Sequence, residues 1–238
     1  MKKIVVLNHK MNFSKDEAIL AKSIMDKYDF NNINLIICPT YLNIDVFSKE
    51  YNTGAQNCHY EEKGQFTGEI SPYHLKYSGV SNVILGHSDR RDIETLEIIS
   101  KKIKSVLNIA MTPIVCIGET KIEKDLNKTA EVLKKKLTIL LSNLSDEEID
   151  EVIIAYEPIW AIGSGITPTI SEIKEVSKYI SDVVSTISNS NNYKVIYGGS
   201  INKENYCKII NIDNIDGVLI GSFCLDTEKL CETITKNV

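Results

Sequence analysis

Eight short β-branched runs, each followed by residues at helical spacing, constrain what this chain can fold into more than any other feature. The runs lie at residues 4–8, 34–38, 53–56, 82–86, 112–117, 152–156, 194–197 and 217–220. Several are apolar at consecutive positions, as strands covered on both faces are. Between them the period changes. Ile173, Val176, Ile180, Val183 and Ile187 recur at threes and fours after the sixth run. Leu126, Ala130, Leu133, Leu137, Leu140 and Leu144 do so after the fifth, and Ile99, Ile103, Val106 and Leu107 after the fourth. Such stripes predict helices that lay one face on a sheet. Asp16–Glu17 and Ser171–Glu172 stand where helices should begin, matching the preference of acidic and capping groups for N-termini. Segments 41–49 and 203–212 have room only for brief helices.

Eight strands in βα repetition are the number that closes a barrel, and such a barrel uses about 250 residues as one unit. The expectation is therefore an α/β chain folded as a single (β/α)8 barrel domain over residues 1–238. An open doubly wound sheet also stacks βα units. It requires a phosphate-binding glycine loop after its first strand. Here that position reads Asn8-His9-Lys10-Met11-Asn12, which weighs against it.

Composition excludes several function classes. The net charge of -5 comes from interspersed charges with no basic stripe, so no nucleic-acid partner is expected. Met1, Lys2 and Lys3 resemble the basic start of a secretion signal, but the apolar run after them stops at Asn8. No stretch approaches the roughly 20 apolar residues of a membrane helix. The six cysteines are dispersed, which reads as core thiols in a reducing compartment rather than a disulfide framework. Cytoplasmic residence is the expectation.

Active sites of closed βα barrels are built where the strands end. Asn8 and Lys10 close the first run; two apart, they would project from one side of an extended chain. His87 follows the fourth run, Glu157 the sixth, Gly198-Gly199-Ser200 the seventh, and Gly221-Ser222 the eighth. Individually each has a plain explanation: a solvated lysine, a loop histidine, a strand terminator before Pro158, a tight turn. Together they place a carboxylate, an imidazole, a cation and backbone nests on one rim. His9, His59, His74 and His87 show no metal-ligand spacing with cysteines or carboxylates, so no metal is expected. Ser200 lacks the G-x-S-x-G setting of a serine nucleophile. A base, an electrophile and a phosphate nest point to proton abstraction beside the carbonyl of a phosphorylated sugar.

The segments 8–12 (NHKMN), 54–58 (GAQNC), 66–70 (FTGEI), 84–91 (ILGHSDRR), 116–119 (CIGE), 155–165 (AYEPIWAIGSG), 197–200 (YGGS) and 216–221 (DGVLIG) span nearly the whole chain. In sequence and order they resemble the triosephosphate isomerase family. The resemblance implies a TIM (β/α)8 barrel that interconverts dihydroxyacetone phosphate and D-glyceraldehyde 3-phosphate through an enediol(ate), without cofactor or metal. By it, Glu157 moves the proton, a neutral His87 polarises the substrate oxygens, Lys10 supplies positive potential and Asn8 orients an oxygen. Glu119 would be a supporting carboxylate. Backbone N–H groups of Gly163, Ser200, Gly221 and Ser222 would hold the phosphate. Segment 158–169 would be a mobile lid, with Ile162 and Leu219 pressing on the site and Tyr197 and Ser200 latching it. The resemblance also implies a homodimer, in which loop 58–69 enters the partner near its site. Thr67 would meet the region of Asn8, and Glu69 would pair with Arg90 across the interface, with Met11 and Phe66 as apolar contacts.

Four positions depart from the family's pattern. Asp89 stands where glutamate is usual beside the catalytic lysine, shortening the reach by about one methylene. Ser222 replaces the second glycine of a pair, which is tolerable only if its φ stays negative. His9 replaces a common tryptophan. The chain after Arg91 reads Asp92-Ile93-Glu94 where the family continues towards Phe-Gly-Glu, which bears on interface packing. Two rival functions are a different phosphate-binding barrel isomerase or lyase, and a catalytically silent phosphosugar-binding barrel.

Overall fold

The computed structural model describes residues 2–236, so Met1 and the last two positions of the 1–238 range lie outside it. Its sheet is a closed barrel of eight parallel strands in sequence order: β1 (Lys3–Asn8), β2 (Ile33–Cys38), β3 (Asn52–Ala55), β4 (Val80–Leu85), β5 (Thr112–Ile117), β6 (Ile153–Tyr156), β7 (Lys194–Tyr197) and β8 (Gly217–Ile220). Closure is made by β1, which pairs with β2 on one edge and with β8 on the other, Ile4 opposite Gly217.

The consecutive apolar residues follow from two cores. Ile4, Val6, Ile36, Cys38, Ile84, Ile114, Cys116, Ile153, Ala155, Ile196 and Leu219 point inward and fill the barrel. Their neighbours, among them Val5, Leu7, Ile37, Val83, Val115, Ile154, Val195 and Val218, point outward into a layer shared with the helices. Side chains alternate at period two, so the inward parity runs on past the strand ends. It delivers Asn8 after Ile4 and Val6, and Glu157 after Ile153 and Ala155.

The helices are α1 (Lys15–Met25), α2 (Ile44–Phe47), α3 (Pro72–Tyr77), α4 (Leu96–Asn108), α5 (Lys121–Asp125), α6 (Thr129–Leu141), α7 (Asp146–Asp150), α8 (Ile170–Ile187), α9 (Tyr206–Ile210) and α10 (Thr227–Lys236). Reciprocal capping boxes start four of them: Ser14–Glu17, Thr120–Glu123, Ser145–Glu148 and Thr169–Glu172. A cap contributes about 1 kcal/mol. A buried leucine or isoleucine contributes about 1.5–3 kcal/mol. Caps therefore set where each helix starts, and packing sets which face it buries.

The stripe read after the fifth strand does not form one helix. Leu126 is 60% exposed and Ala130 is exposed too, while Leu133, Leu137, Leu140 and Leu141 are buried. The chain breaks between α5 and α6 at Asn127, whose φ is +55°. Asparagine tolerates that left-handed region better than most residues. β3 is the least regular strand, with a register shift against β4 at Thr53/Gly54, and it stops at Ala55 rather than Gln56.

Candidate active site

The C-terminal ends of the strands surround a cavity of about 260 Å³. Lys10, His87, Glu157, Ile162, Gly163, Ser200, Leu219, Gly221 and Ser222, all singled out in the sequence, line it. So do Gly198 and Gly199, read from the sequence as part of a backbone nest, and Asn12, Ile201 and Leu225, to which the sequence reading assigned no binding or catalytic role. Asn12 and the two glycines sit in the strand-end motifs, where the signal was present. Leu225 ends a short 3-10 turn, Ser222–Leu225, and nothing in its sequence context marks it.

Glu157 enters this cavity because inward parity demands it. Gly118 makes room for the turn: a Cβ there would meet the Glu157 carbonyl oxygen at 1.7 Å. The side chain is 2% exposed, and among the described residues neither carboxylate oxygen accepts a hydrogen bond of full geometry. Burial raises its carboxyl above the ordinary glutamate range. His87, the Cys116 thiol, the Ser88 N–H and Lys10 oppose that rise by favouring the ionised form. Burial dominates.

His87 approaches Glu157 with Nε2 at 3.3 Å from Oε1. Its Nδ1 accepts the Asp89 backbone N–H at 3.1 Å, at the start of the 3-10 turn Ser88–Arg90. A nitrogen that accepts a hydrogen bond carries no proton, so the ring proton sits on Nε2, the atom facing Glu157. The local fold thus writes the tautomer.

Lys10 does not continue the extended chain as expected. Its φ is +50°, and among the described residues only Ala110 and Asn127 share a positive φ without being glycine. Such a backbone costs on the order of 1–3 kcal/mol and needs support. Support comes from both sides: the Asn8 amide oxygen accepts the Lys10 N–H at 3.0 Å, and Gln56 Nε2 donates to the Lys10 carbonyl at 2.8 Å. The ammonium then pairs with Asp89 Oδ2 at 3.0 Å, so the shorter aspartate does reach the lysine. Asn8 is 4% exposed, its amide oxygen holds the Lys10 N–H, and it is not among the residues that line the cavity.

Behind the site, Glu119 is 1% exposed and accepts from Trp160 Nε1 at 2.8 Å and Tyr156 Oη at 3.2 Å. Ser200 Oγ donates to the Ala161 carbonyl. Tyr197 is fully buried, and its hydroxyl has no hydrogen-bond partner among the described residues. Ser222 keeps a negative φ, which meets the condition its substitution for glycine imposes. His9 sits edge-on against Phe13 and Phe47, at 4.7 and 5.6 Å between ring centres. Burial lowers its imidazole to about 4, so it packs as a neutral ring.

The residues expected at an interface lie outside the cavity. Met11 is 92% and Phe66 41% exposed, and Thr67 and Glu69 are exposed on the same loop. Arg90 already has a partner in its own chain: Nε donates to Glu94 Oε1 at 2.6 Å. That same oxygen takes Lys102 Nζ at 2.8 Å, so Glu94 anchors the short segment after Arg91. Among the described residues no three His, Cys, Asp or Glu side chains gather as a metal site would require. No described helix is long and apolar enough to cross a membrane.

A family profile described as triosephosphate isomerase matches residues 3–237. Proteins named triosephosphate isomerase align over nearly the whole length. That of Alkaliphilus oremlandii is 38% identical, covering 96% of this chain and 96% of its own. That of Natranaerobius thermophilus is 36% identical, covering 97% and 94%, and that of Aquifex aeolicus is 35% identical, covering 98% and 99%.

Proposed function

We propose, from the premise that this chain belongs to the triosephosphate isomerase family, that it interconverts D-glyceraldehyde 3-phosphate and dihydroxyacetone phosphate with Glu157 as the base. The observation behind this reading is the Glu157–His87 pair: a buried carboxylate with no hydrogen bond of full geometry among the described residues, 3.3 Å from the protonated nitrogen of an imidazole, opening onto the rim cavity.

Glu157 takes the proton from the carbon beside the carbonyl and returns it to the neighbouring carbon. Its raised pKa makes it a stronger base than a solvated glutamate, provided it is ionised when substrate arrives. As the C–H bond breaks, negative charge moves onto the carbonyl oxygen. The His87 Nε2–H is placed to donate to that oxygen, and the Lys10 ammonium adds positive potential. Asn8 would orient a substrate oxygen by donating from Nδ2 while its amide oxygen keeps hold of the Lys10 N–H. The backbone N–H groups of Gly163, Ser200, Gly221 and Ser222 are the phosphate nest. Segment 158–169 closes over it with Ile162, against Leu219, and excludes water that would weaken these contacts. Ser200 and the Tyr197 hydroxyl, which has no hydrogen-bond partner among the described residues, are the groups available to hold it shut.

Two further parts of the reading follow from the family. The exposed Met11 and Phe66, with Thr67 and Glu69, form one side of a homodimer contact whose other side includes the terminal nitrogens of Arg90. The protein works in the cytoplasm, on triose phosphates alone and without a cofactor.

The deciding assay is isomerisation of D-glyceraldehyde 3-phosphate by purified protein in EDTA, with Glu157→Asp as control. Rapid turnover that collapses in the control supports the reaction and the base. No turnover by folded protein rejects the reading and favours a silent phosphosugar-binding barrel.

A further inference from the structure

Segment 158–169 leaves the barrel after β6 and rejoins it at α8, and one side chain of α5 meets both ends. The Lys124 Nζ sits 3.6 Å from the centre of the Trp160 ring, well inside the range of a cation–π contact. The same ammonium lies 3.0 Å from Glu172 Oε1. The other oxygen of Glu172 accepts the Thr169 N–H at 2.7 Å and its hydroxyl at 2.9 Å, closing the cap of α8. The Trp160 indole N–H donates to Glu119 Oε1 at 2.8 Å. Lys124 itself projects from a turn that the Thr120–Glu123 capping box sets. Between these anchors, Ile162 and Gly163 border the cavity and Ile166 is 57% exposed.

We propose that Lys124 is a positioning residue of this lid, tying its first anchor, Trp160, to its last, the Thr169–Glu172 cap, through one shared charge. The inference rests on the isomerase reading above. An exposed ion pair alone contributes little. A charge shared between a ring face and a carboxylate is different in kind, because moving either end of the segment strains contacts at both. The middle of the lid then moves between fixed posts, and Gly163 returns to the same place beside Ser200, Gly221 and Ser222. A phosphorylated substrate draws on that placement for binding, whereas D-glyceraldehyde, which lacks the phosphate, does not.

Lys124→Met keeps the stem and removes the charge, and Lys124→Arg restores a cation that can stack and pair at once. For Lys124→Met we expect kcat/KM on D-glyceraldehyde 3-phosphate to fall about 5–20-fold, mostly through KM, with deprotonation of D-glyceraldehyde within about twofold of the parent. Trp160 is the only tryptophan in the chain. Its fluorescence should become more accessible to acrylamide in Lys124→Met and return to the parent value in Lys124→Arg. Equal losses on both substrates, or a folded Lys124→Met with parental KM and parental quenching, would overturn the proposal. If the parent protein isomerises nothing, the isomerase reading fails on its own. The quenching comparison still decides the clamp in that case, since unchanged accessibility refutes it. Glu172→Gln, which keeps an oxygen for the Thr169 cap, should show a smaller change in the same direction, and no change would count against the shared charge.

Discussion

The two mouths of the barrel differ in a way that size would misjudge. The N-terminal mouth opens on the larger hollow, about 590 Å³, bordered by Asn34, Asn52, Ser81 and Asn82 among others. Those side chains satisfy one another: Asn52 Oδ1 accepts from Ser81 Oγ at 2.6 Å and Asn82 Nδ2 at 2.8 Å, and Asn52 donates on to Asn34 at 3.3 Å. The C-terminal mouth has less than half the volume, yet it holds a buried carboxylate that accepts no hydrogen bond of full geometry among the described residues, and a lysine on a left-handed backbone. Unsatisfied groups and strain cost stability, and where they gather around one cavity they point to a use. The mouth whose polar atoms are spent on each other reads as scaffold; the other is poised for a ligand.

The contrast is testable from its largest expected effect downward. Glu157→Gln should lower kcat by about a thousandfold or more, within the range that a general base contributes or beyond it. The same substitution should raise the melting temperature at neutral pH. Burial holds the folded carboxyl above its unfolded pKa, so ionised Glu157 destabilises the fold increasingly as pH rises through the unfolded value towards the folded one. The gain should vanish in acid below the unfolded value. If Glu157→Gln is no more stable at pH 7 than the parent, the mouth is not strained by its base and the comparison breaks.

His9 bears the opposite sign. Its folded value of about 4 lies below the ordinary 6.5, so the stability it contributes is complete above pH 6.5 and is lost as pH falls towards 4. The loss amounts to at most about 3 kcal/mol. His9→Phe, measured by urea unfolding at a series of pH values, should flatten that window while leaving turnover near parental. A slope unchanged by the substitution would assign the acid sensitivity to other groups.

At the N-terminal mouth, Asn82→Ala should cost about 1–2 kcal/mol of stability through its two lost hydrogen bonds and leave kcat/KM unchanged. A loss of activity would show that the two ends are coupled. The smallest effect is expected for Asp89→Glu, since the aspartate already reaches Lys10 at 3.0 Å: turnover in a steady-state assay should stay within about twofold. A large loss would mean that the site has been rebuilt around the shorter side chain.

The fold was legible because burial on both faces left its mark on the strands, and the mark is strongest where both cores are densest. Residues 112–117 were bounded correctly for that reason, as β5 alternates Ile114 and Cys116 inward with Val115 and Ile117 outward. β3 was harder to bound. It begins on a polar Asn52 that belongs to the scaffold network, and its register shifts at Gly54. The apolar spacing from Leu126 onward is a period without a helix under it, because Asn127 turns the chain and lifts Leu126 into solvent. At the site, strand-end position and motif found Glu157, His87 and Lys10. Nothing local foretold how Lys10 gets there. Its left-handed backbone depends on Gln56, 46 residues away in sequence, and contacts at that distance are not written in either segment alone.

The pairing of β1 with β8 has a consequence in time. During synthesis β1 leaves the ribosome long before its second neighbour, β8, with Gly217 opposite Ile4. Until then one edge of a strand made of Ile4, Val5, Val6 and Leu7 has no permanent partner, and such an edge is a template for wrong pairing. Any slowing of translation or truncation before residue 217 should therefore lead to aggregation rather than to a smaller folded protein.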